Sequence, residues 1–264
     1  MKKYFVIGNP IEHSLSPKLH NHWIKINNID AVYEKQKLND NQLEDFFINF
    51  KSEKIAGINV TVPFKKSVIP FLDKLSLEAE KTQSVNTIIL DDENLVGYNT
   101  DIFGFETAIK KINFNIQNKK ALILGAGGVV PSIIYALKKM NALEITISNR
   151  TIQNAEILKN YFEDLKIIKW GQISEFDIII NATSLGLKDE SINLDFSSVG
   201  KNKLFFDVIY NPDETNFLKI GKKLGNITEN GKLMFIYQAF EAFNLWHKVK
   251  PQIDERTIKI LNND

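Results

Sequence analysis

Leu122-Ile123-Leu124-Gly125-Ala126-Gly127-Gly128 is the stretch whose reading decides the fold. An apolar strand runs into a glycine turn, and Ser132 to Lys139 has the spacing of an amphipathic helix. Together they make the opening of a dinucleotide-binding βαβ unit. Glycines let the backbone approach a pyrophosphate, whose charge is met by amide N–H groups at the helix N-terminus. Val130 stands where a third glycine or alanine is usual, and Pro131 lies in the first helical turn, where proline is tolerated. Taken alone, the run also fits a glycine turn in a flavodoxin-like fold. Its position is informative: a whole domain's worth of sequence precedes it. That preceding domain is expected to hold the substrate.

Downstream of the glycines, strands and helices alternate. Strands are predicted at 120–124, 144–148, 166–169, 177–181, 204–208 and 226–228, the pattern of a parallel, doubly wound sheet. Upstream, strands are predicted at 4–8, 31–37, 58–62, 85–90 and 95–98, the last two forming a hairpin. Helices are predicted from Ser16-Pro17 to about residue 27, with Ser16 as cap, then over 43–52, 65–74 and 77–82. A helix from Asp101 should bridge two domains, and a last helix is predicted from Met234 to Val249. The expectation is a two-domain α/β protein. A substrate domain spans 1–101, rejoined by a C-terminal helix at 236–264, and a Rossmann-type doubly wound domain spans 102–235, with the active site in the cleft between them.

The bulk composition excludes several classes. With 44% hydrophobic and 25% charged residues the 264-residue chain reads as a soluble globular protein of two ordinary domains. Basic and acidic residues nearly cancel, 33 against 32, so no whole-chain field would hold nucleic acid or anionic lipid. Zero cysteines removes disulfides, thiolate catalysis and cysteine-ligated metal. His20 and His22 project to nearly opposite sides of a helix, and His13 and His247 lie far apart, so no metal is expected. The apolar stretch after Lys2-Lys3 ends at Gly8, too short for a signal peptide, and no run reaches transmembrane length. A cytoplasmic protein is expected.

About 20 residues past the glycines, NAD enzymes place an acidic residue for the ribose diol. Here that place holds Asn149, Arg150 and Thr151. A guanidinium with two uncharged hydrogen-bonding neighbours suits a 2′-phosphate, so NADP is expected rather than NAD. Asn181-Ala182-Thr183-Ser184-Leu185-Gly186 and Asp207-Val208-Ile209-Tyr210-Asn211-Pro212 follow later strands and should border the cofactor. On the substrate side, Ser14 and Ser16 flank a helix start, where hydroxyls and amides can receive a carboxylate. Asn59 and Thr61 alternate with Ile58, Val60 and Val62, and Asn86 lies in an apolar strand. Buried polar groups need partners, which a polyhydroxylated ligand or the fold itself can supply. Reducing a ketone needs hydride at carbon and a proton at oxygen, a task that fits a lysine held by a carboxylate. Lys65 and Asp101 are the candidates.

Several short motifs, in order over nearly the whole chain, resemble those of the shikimate dehydrogenases. They are Ser14-Leu15-Ser16-Pro17, Asn59-Val60-Thr61-Val62-Pro63-Phe64-Lys65, Val85-Asn86-Thr87 and Tyr98-Asn99-Thr100-Asp101. Gly125-Ala126-Gly127-Gly128, Asn149-Arg150-Thr151, Asn181-Ala182-Thr183-Ser184 and Gln238-Ala239 with Phe243 and Trp246 follow. The resemblance implies NADPH-dependent reduction of 3-dehydroshikimate to shikimate, on the route to chorismate and aromatic amino acids. It implies Lys65 and Asp101 as the catalytic pair. Ser14, Ser16 and Tyr210 would hold the substrate carboxylate, and Asn59, Thr61, Asn86 and Gln238 the ring hydroxyls or nearby groups. For the cofactor it implies Gly125, Ala126, Gly127, Gly128, Asn149, Arg150, Thr151, Thr183, Ser184, Val208, Gly231 and Met234. The sequence departs from the family at Asn154, where a second basic residue is common, and at Asn230-Gly231-Lys232-Leu233-Met234, which only partly repeats a glycine-rich approach to methionine. Arg150 then carries the 2′-phosphate alone or with a lysine from elsewhere. The rival readings are a broader quinate/shikimate dehydrogenase, use of NAD, and a non-catalytic shikimate sensor. Retention of Lys65 and Asp101 weighs against the sensor. A monomer and a homodimer fit equally.

Overall fold

The computed structural model describes residues 1–50, 55–188 and 190–262. The chain divides into two compact units, Met1–Thr100 with Gln238–Asp264, and Asp101–Tyr237.

The first unit contains β1 (Lys2–Gly8), α1 (Ser16–Ile26), β2 (Ala31–Lys37), α2 (Leu43–Asn49), β3 (Ile55–Val60), β4 (Lys74–Leu75), α3 (Leu77–Thr82), β5 (Thr87–Asp91) and β6 (Asn94–Tyr98). Its strands form one sheet in the order β2-β1-β3-β5-β6-β4. β1 pairs in parallel with β2 and β3, and β5 runs antiparallel to both β3 and β6. Successive strand residues face opposite sides. Phe5, Ile7, Ile58, Val60 and Ile88 accordingly join Phe46, Phe47 and Phe50 in one core. Tyr4, Tyr33, His20, Trp23 and Trp246 form an aromatic group with Phe243. Gly57 is required there, because a Cβ would sit 2.3 Å from the Trp246 indole nitrogen, which itself donates to the Ile88 carbonyl at 3.0 Å.

The second unit contains α4 (Asp101–Lys111), β7 (Lys120–Leu124), α5 (Val130–Lys139), β8 (Glu144–Ser148), α6 (Ile152–Lys159), β9 (Lys166–Ile168), β10 (Ile178–Asn181), β11 (Leu204–Asp207), α7 (Asn216–Lys223) and β12 (Ile227–Glu229). The sheet order is β12-β11-β10-β7-β8-β9, parallel throughout. Counted within the unit this is 3-2-1-4-5-6 read from the β9 edge, the dinucleotide-binding order rather than the flavodoxin-like one. The central strands are apolar at nearly every position because both faces are covered. Ala121, Ile123, Ile178, Ile180 and Phe206 pack with α4 and α5, while Leu122, Leu124, Ile179 and Phe205 pack with Phe196 and Phe217. α8 (Lys232–His247), which carries the second boundary between units, and α9 (Glu255–Asn262) complete the chain.

The structure corrects several local expectations. Ser16 is the first residue of α1 rather than its cap; Leu15 holds that place, and Ser14 Oγ accepts the Ser16 N–H at 3.3 Å. Residues 65–74 form no α-helix. Turns run to Val68 and a single 3-10 turn spans Ile69–Phe71, because Pro70 removes a donor where an α-helix would need one. β3 ends at Val60, so Thr61 lies beyond the strand, and β5 starts at Thr87, so Asn86 lies just before it. The C-terminal stretch is two helices instead of one. Lys248 adopts φ 54° after α8, and Pro251 prevents continuation. The end of the helix expected over 43–52, Lys51 and Ser52, lies outside the described residues.

Candidate active site

In the first unit four of the expected substrate residues, Ser16, Asn59, Asn86 and Gln238, join a largely buried polar network. Asn59 stands directly opposite Thr87 in the β3–β5 ladder. Its Nδ2 donates to Thr87 Oγ1 at 3.0 Å and to the Asn86 carbonyl at 3.1 Å. Tyr33 reaches over β1 from β2, and its hydroxyl donates to Asn59 Oδ1 at 2.7 Å. Asn86 Oδ1 accepts the Thr100 N–H at 2.7 Å and the Thr87 hydroxyl at 3.1 Å. Asn86 Nδ2 donates to Thr100 Oγ1 at 3.0 Å and to Gln238 Oε1 at 3.4 Å. Both protons of the Asn59 amide are therefore taken within the fold. Burial raises the Tyr33 hydroxyl well above its usual pKa, against a smaller opposing effect of a hydrogen bond with the Ser16 side chain. The network thus extends from Ser16 to Gln238.

Tyr33 itself is fully buried and stacked on His20, ring centroids 4.3 Å apart and planes 3° from parallel. Burial, and then the charge of His247, pushes the His20 pKa down to about 3, so its imidazole is neutral. Lys65 is half-buried between two fully buried anchors, Phe64 and Val68. Its carbonyl accepts the Val85 N–H at 2.8 Å, which places the Lys65 backbone beside the residue preceding Asn86. Ser14 and Thr61 are half-buried.

In the second unit, register alone gathers the expected cofactor residues. Leu124 pairs with Ser148 and with Asn181, and Asn181 with Asp207. The segments 125–128, 149–151, 182–185 and 208–210 therefore leave the sheet at one edge, with the order reversing between β7 and β10. Gly125 has φ 109°, and a Cβ there would meet the Ala182 carbonyl oxygen at 2.8 Å. Gly127 and Gly128 are exposed, and a Cβ on Gly127 would touch nothing nearer than 3.9 Å, so the backbone before α5 is open to a ligand. Arg150 and Thr151 are exposed, and Asn149 Nδ2 donates to the Thr151 carbonyl at 2.7 Å. A glycine turn at a helix start and an exposed guanidinium after the second strand, with no carboxylate paired to it among the described residues, fit a dinucleotide with a 2′-phosphate.

Asn181 organises the next turn. Its Oδ1 accepts the Thr183 N–H and hydroxyl at 3.0 and 2.7 Å, and its Nδ2 donates to Leu185 O and Asp207 Oδ1 at 3.1 and 3.0 Å. Asp207 is wholly buried. Its carboxyl also accepts the Ile209 N–H at 3.0 Å and the Thr215 hydroxyl at 2.6 Å. Desolvation nevertheless raises its pKa to about 6. Ser184 is exposed, Val208 is partly buried, and Tyr210 stacks on Phe235 at 4.7 Å. Gly231 is needed for close backbone approach, since a Cβ would lie 2.1 Å from the Val208 carbonyl oxygen. Met234 belongs to the hydrophobic core of the unit. Asp101, the first residue of α4, is also buried.

Sequence reasoning missed Tyr33, and it gave Thr87 and Asp207 no role of their own although both lay within quoted stretches. Tyr33 and Thr87 look like ordinary strand residues until pairing sets them around Asn59, and Asp207 gives no sign of its burial. Thr100 lay within a quoted motif without a role.

A family model for the shikimate dehydrogenase substrate-binding domain matches residues 6–88, and a shikimate/quinate 5-dehydrogenase model matches residues 106–210. The NADP(+) shikimate dehydrogenase of Pelagibacter ubique (strain HTCC1062) is 59% identical over 264 residues, 99% of this chain and 100% of that relative. The chain belongs to the shikimate dehydrogenase family. Among solved members, the shikimate dehydrogenase of Aquifex aeolicus superposes with TM-score 0.89 at 35% identity, covering 100% of this chain and 98% of its own. A shikimate dehydrogenase in complex with NADP+ gives TM-score 0.91 at 32% identity, covering 99% and 95%. Among the described residues of this family member, no helix is long and apolar enough to cross a membrane.

Proposed function

We propose that this chain is an NADP-dependent shikimate dehydrogenase, interconverting 3-dehydroshikimate and shikimate on the route to chorismate and the aromatic amino acids. The full-length 59% identity to an NADP(+) shikimate dehydrogenase carries this reading. The dinucleotide-binding strand order, with Arg150 at the expected edge, supports it. Gly125 to Gly128 would receive the pyrophosphate, and Asn149, Arg150 and Thr151 the 2′-phosphate. Thr183, Ser184, Val208, Gly231 and Met234 would border the rest of the cofactor. Gly231 and Met234 would act through backbone approach and packing, as their surroundings suggest. NADPH, when bound, supplies hydride to the carbonyl carbon.

Reduction also needs a proton at the carbonyl oxygen. Lys65 is assigned to donate it and to stabilise the developing alkoxide, and Asp101 to support the ammonium. In the reverse direction Lys65 takes the proton from the alcohol. Ser14, Ser16 and Tyr210 are assigned to the carboxylate, and Thr61, Asn86 and Gln238 to the ring hydroxyls. Asn59, with both amide protons committed, is assigned to hold Asn86 and Thr87 in place, leaving an Oδ1 lone pair for a ligand. The first unit is then the substrate-binding domain and the second the NADP-binding domain. A cytoplasmic location is proposed from the pathway, with a monomer or homodimer to be separated by light scattering.

Absorbance at the nicotinamide band tests the reading, with shikimate or quinate as donor and NADP or NAD as acceptor. Shikimate with NADP is expected to be the best pair. No reduction of NADP by shikimate would overturn the proposal, and equal rates with quinate would broaden the substrate class.

A further inference from the structure

The 2′-phosphate of NADP carries about −1.5 to −2 charge near neutral pH, more than one guanidinium offsets. Along the chain after Arg150 the next residues, Thr151, Ile152, Gln153 and Asn154, carry no charge. The sheet brings another cation to the same edge. β9 lies beside β8 in parallel, with Ile168 opposite Ser148. The next residues, Lys169 and Asn149, therefore leave the sheet side by side, about 5 Å apart by the ordinary strand spacing. Arg150 follows immediately.

The Lys169 backbone is fixed in place. Ser148 Oγ donates to its carbonyl at 3.2 Å, and the Gln172 N–H donates to the same oxygen at 3.1 Å. The Lys169 N–H in turn donates to Gln172 Oε1 at 3.1 Å. Lys169 is exposed, as is Arg150. Among the described residues neither has a carboxylate partner. At the opposite edge of the sheet, Lys166 pairs with Glu144, and Lys119 and Lys203 pair with Asp177. Those three lysines at the amino ends of the strands thus face carboxylates, while these two cations at the carboxyl ends are available to an anion.

We infer that Lys169 is a second ligand of the NADP 2′-phosphate, forming with Arg150 a two-cation site drawn from adjacent strand ends. The inference rests on the NADP reading above. Its consequence is selectivity. Lys169 contributes to binding only when the 2′-phosphate is present, so it discriminates NADP from NAD instead of strengthening dinucleotide binding in general.

The test is equilibrium titration of the full chain with NADP, NAD, adenosine 2′,5′-bisphosphate and AMP, for wild type, Lys169→Ala, Lys169→Arg and Arg150→Ala. Lys169→Ala is expected to weaken NADP and the bisphosphate about five- to ten-fold, with less than about two-fold change for NAD and AMP. Lys169→Arg should stay within about three-fold of wild type, and the salt dependence of NADP binding should flatten in Lys169→Ala. If wild type prefers NADP but Lys169→Ala leaves its affinity unchanged, or weakens all four ligands alike, the inference is overturned alone. If wild type holds NADP no tighter than NAD, the cofactor reading falls first and takes the inference with it.

Discussion

Tyr33→Phe removes one oxygen from the centre of the polar network and little else. The phenyl ring can keep its stack on His20, 4.3 Å away, and Asn59 can keep its bonds to Asn86 O and Thr87 Oγ1. What is lost is the 2.7 Å donation to Asn59 Oδ1, an atom of a side chain only 6% exposed, together with the hydrogen bond to the Ser16 side chain. Leaving a buried acceptor without its donor costs about 1–3 kcal/mol. Taking about 2 kcal/mol, the melting temperature should fall by about 4–8 °C for a chain of this size. Denaturant unfolding followed by tryptophan fluorescence reads the loss directly, since Trp23 and Trp246 lie in the same aromatic group. Asn59 orders Asn86, so KM for shikimate should rise several-fold while kcat falls less. A double-mutant cycle with Asn59→Leu should return a coupling of about 1 kcal/mol or more. A stability change under about 0.3 kcal/mol together with an unchanged KM would refute the reasoning, because the bond would then contribute neither to the fold nor to the site.

Further expectations follow from other parts of the structure. Lys65→Ala should lower turnover by roughly 10²–10⁴ with NADP binding retained, and Asp101→Asn should also slow the reaction; near wild-type steady-state rates would remove either from the chemistry. The Asp207 pKa, raised from 3.8 to about 6, means that the folded state holds this proton more tightly than the unfolded chain does. Its contribution to stability is therefore fully present below pH 3.8 and declines as pH rises through about 6, by roughly 3 kcal/mol in all. Subtracting the stability-versus-pH curve of Asp207→Asn from that of wild type should isolate this slope, and a flat difference would count against the raised pKa. Gly125→Ala, at φ 109° and against the Ala182 carbonyl, should cost about 1–3 kcal/mol and weaken NADP binding, measured by thermal shift with and without cofactor.

The second unit was legible because its signals are local and repeated. Leu122 to Leu124 and Ile178 to Ile180 are apolar at every position since both faces of a central parallel strand are covered, and Gly125 marks a turn that only glycine accommodates readily. Motif order supplied the candidate residues. Local signals failed where two rules competed: residues 65–74 have a helical distribution of apolar side chains, but Pro70 leaves room only for a 3-10 turn. At the N-terminus of α1, the serine expected to cap is already helical, and the one before it accepts its N–H.

By itself the sequence determined two α/β regions, a glycine turn followed by a cation where an acid is usual, and a set of polar residues with a lysine among them. Only the tertiary structure decided which polar groups already satisfy one another. Asn59 has no open amide proton because Asn86 and Thr87 come to it through pairing of β3 with β5, and Tyr33 reaches its oxygen over an intervening strand. Strand pairing likewise set Lys169 beside Asn149, about twenty residues away along the chain. Propensity and periodicity act over a few neighbouring residues, whereas hydrogen bonding and charge compensation act between whatever groups the sheet register brings within a few ångströms.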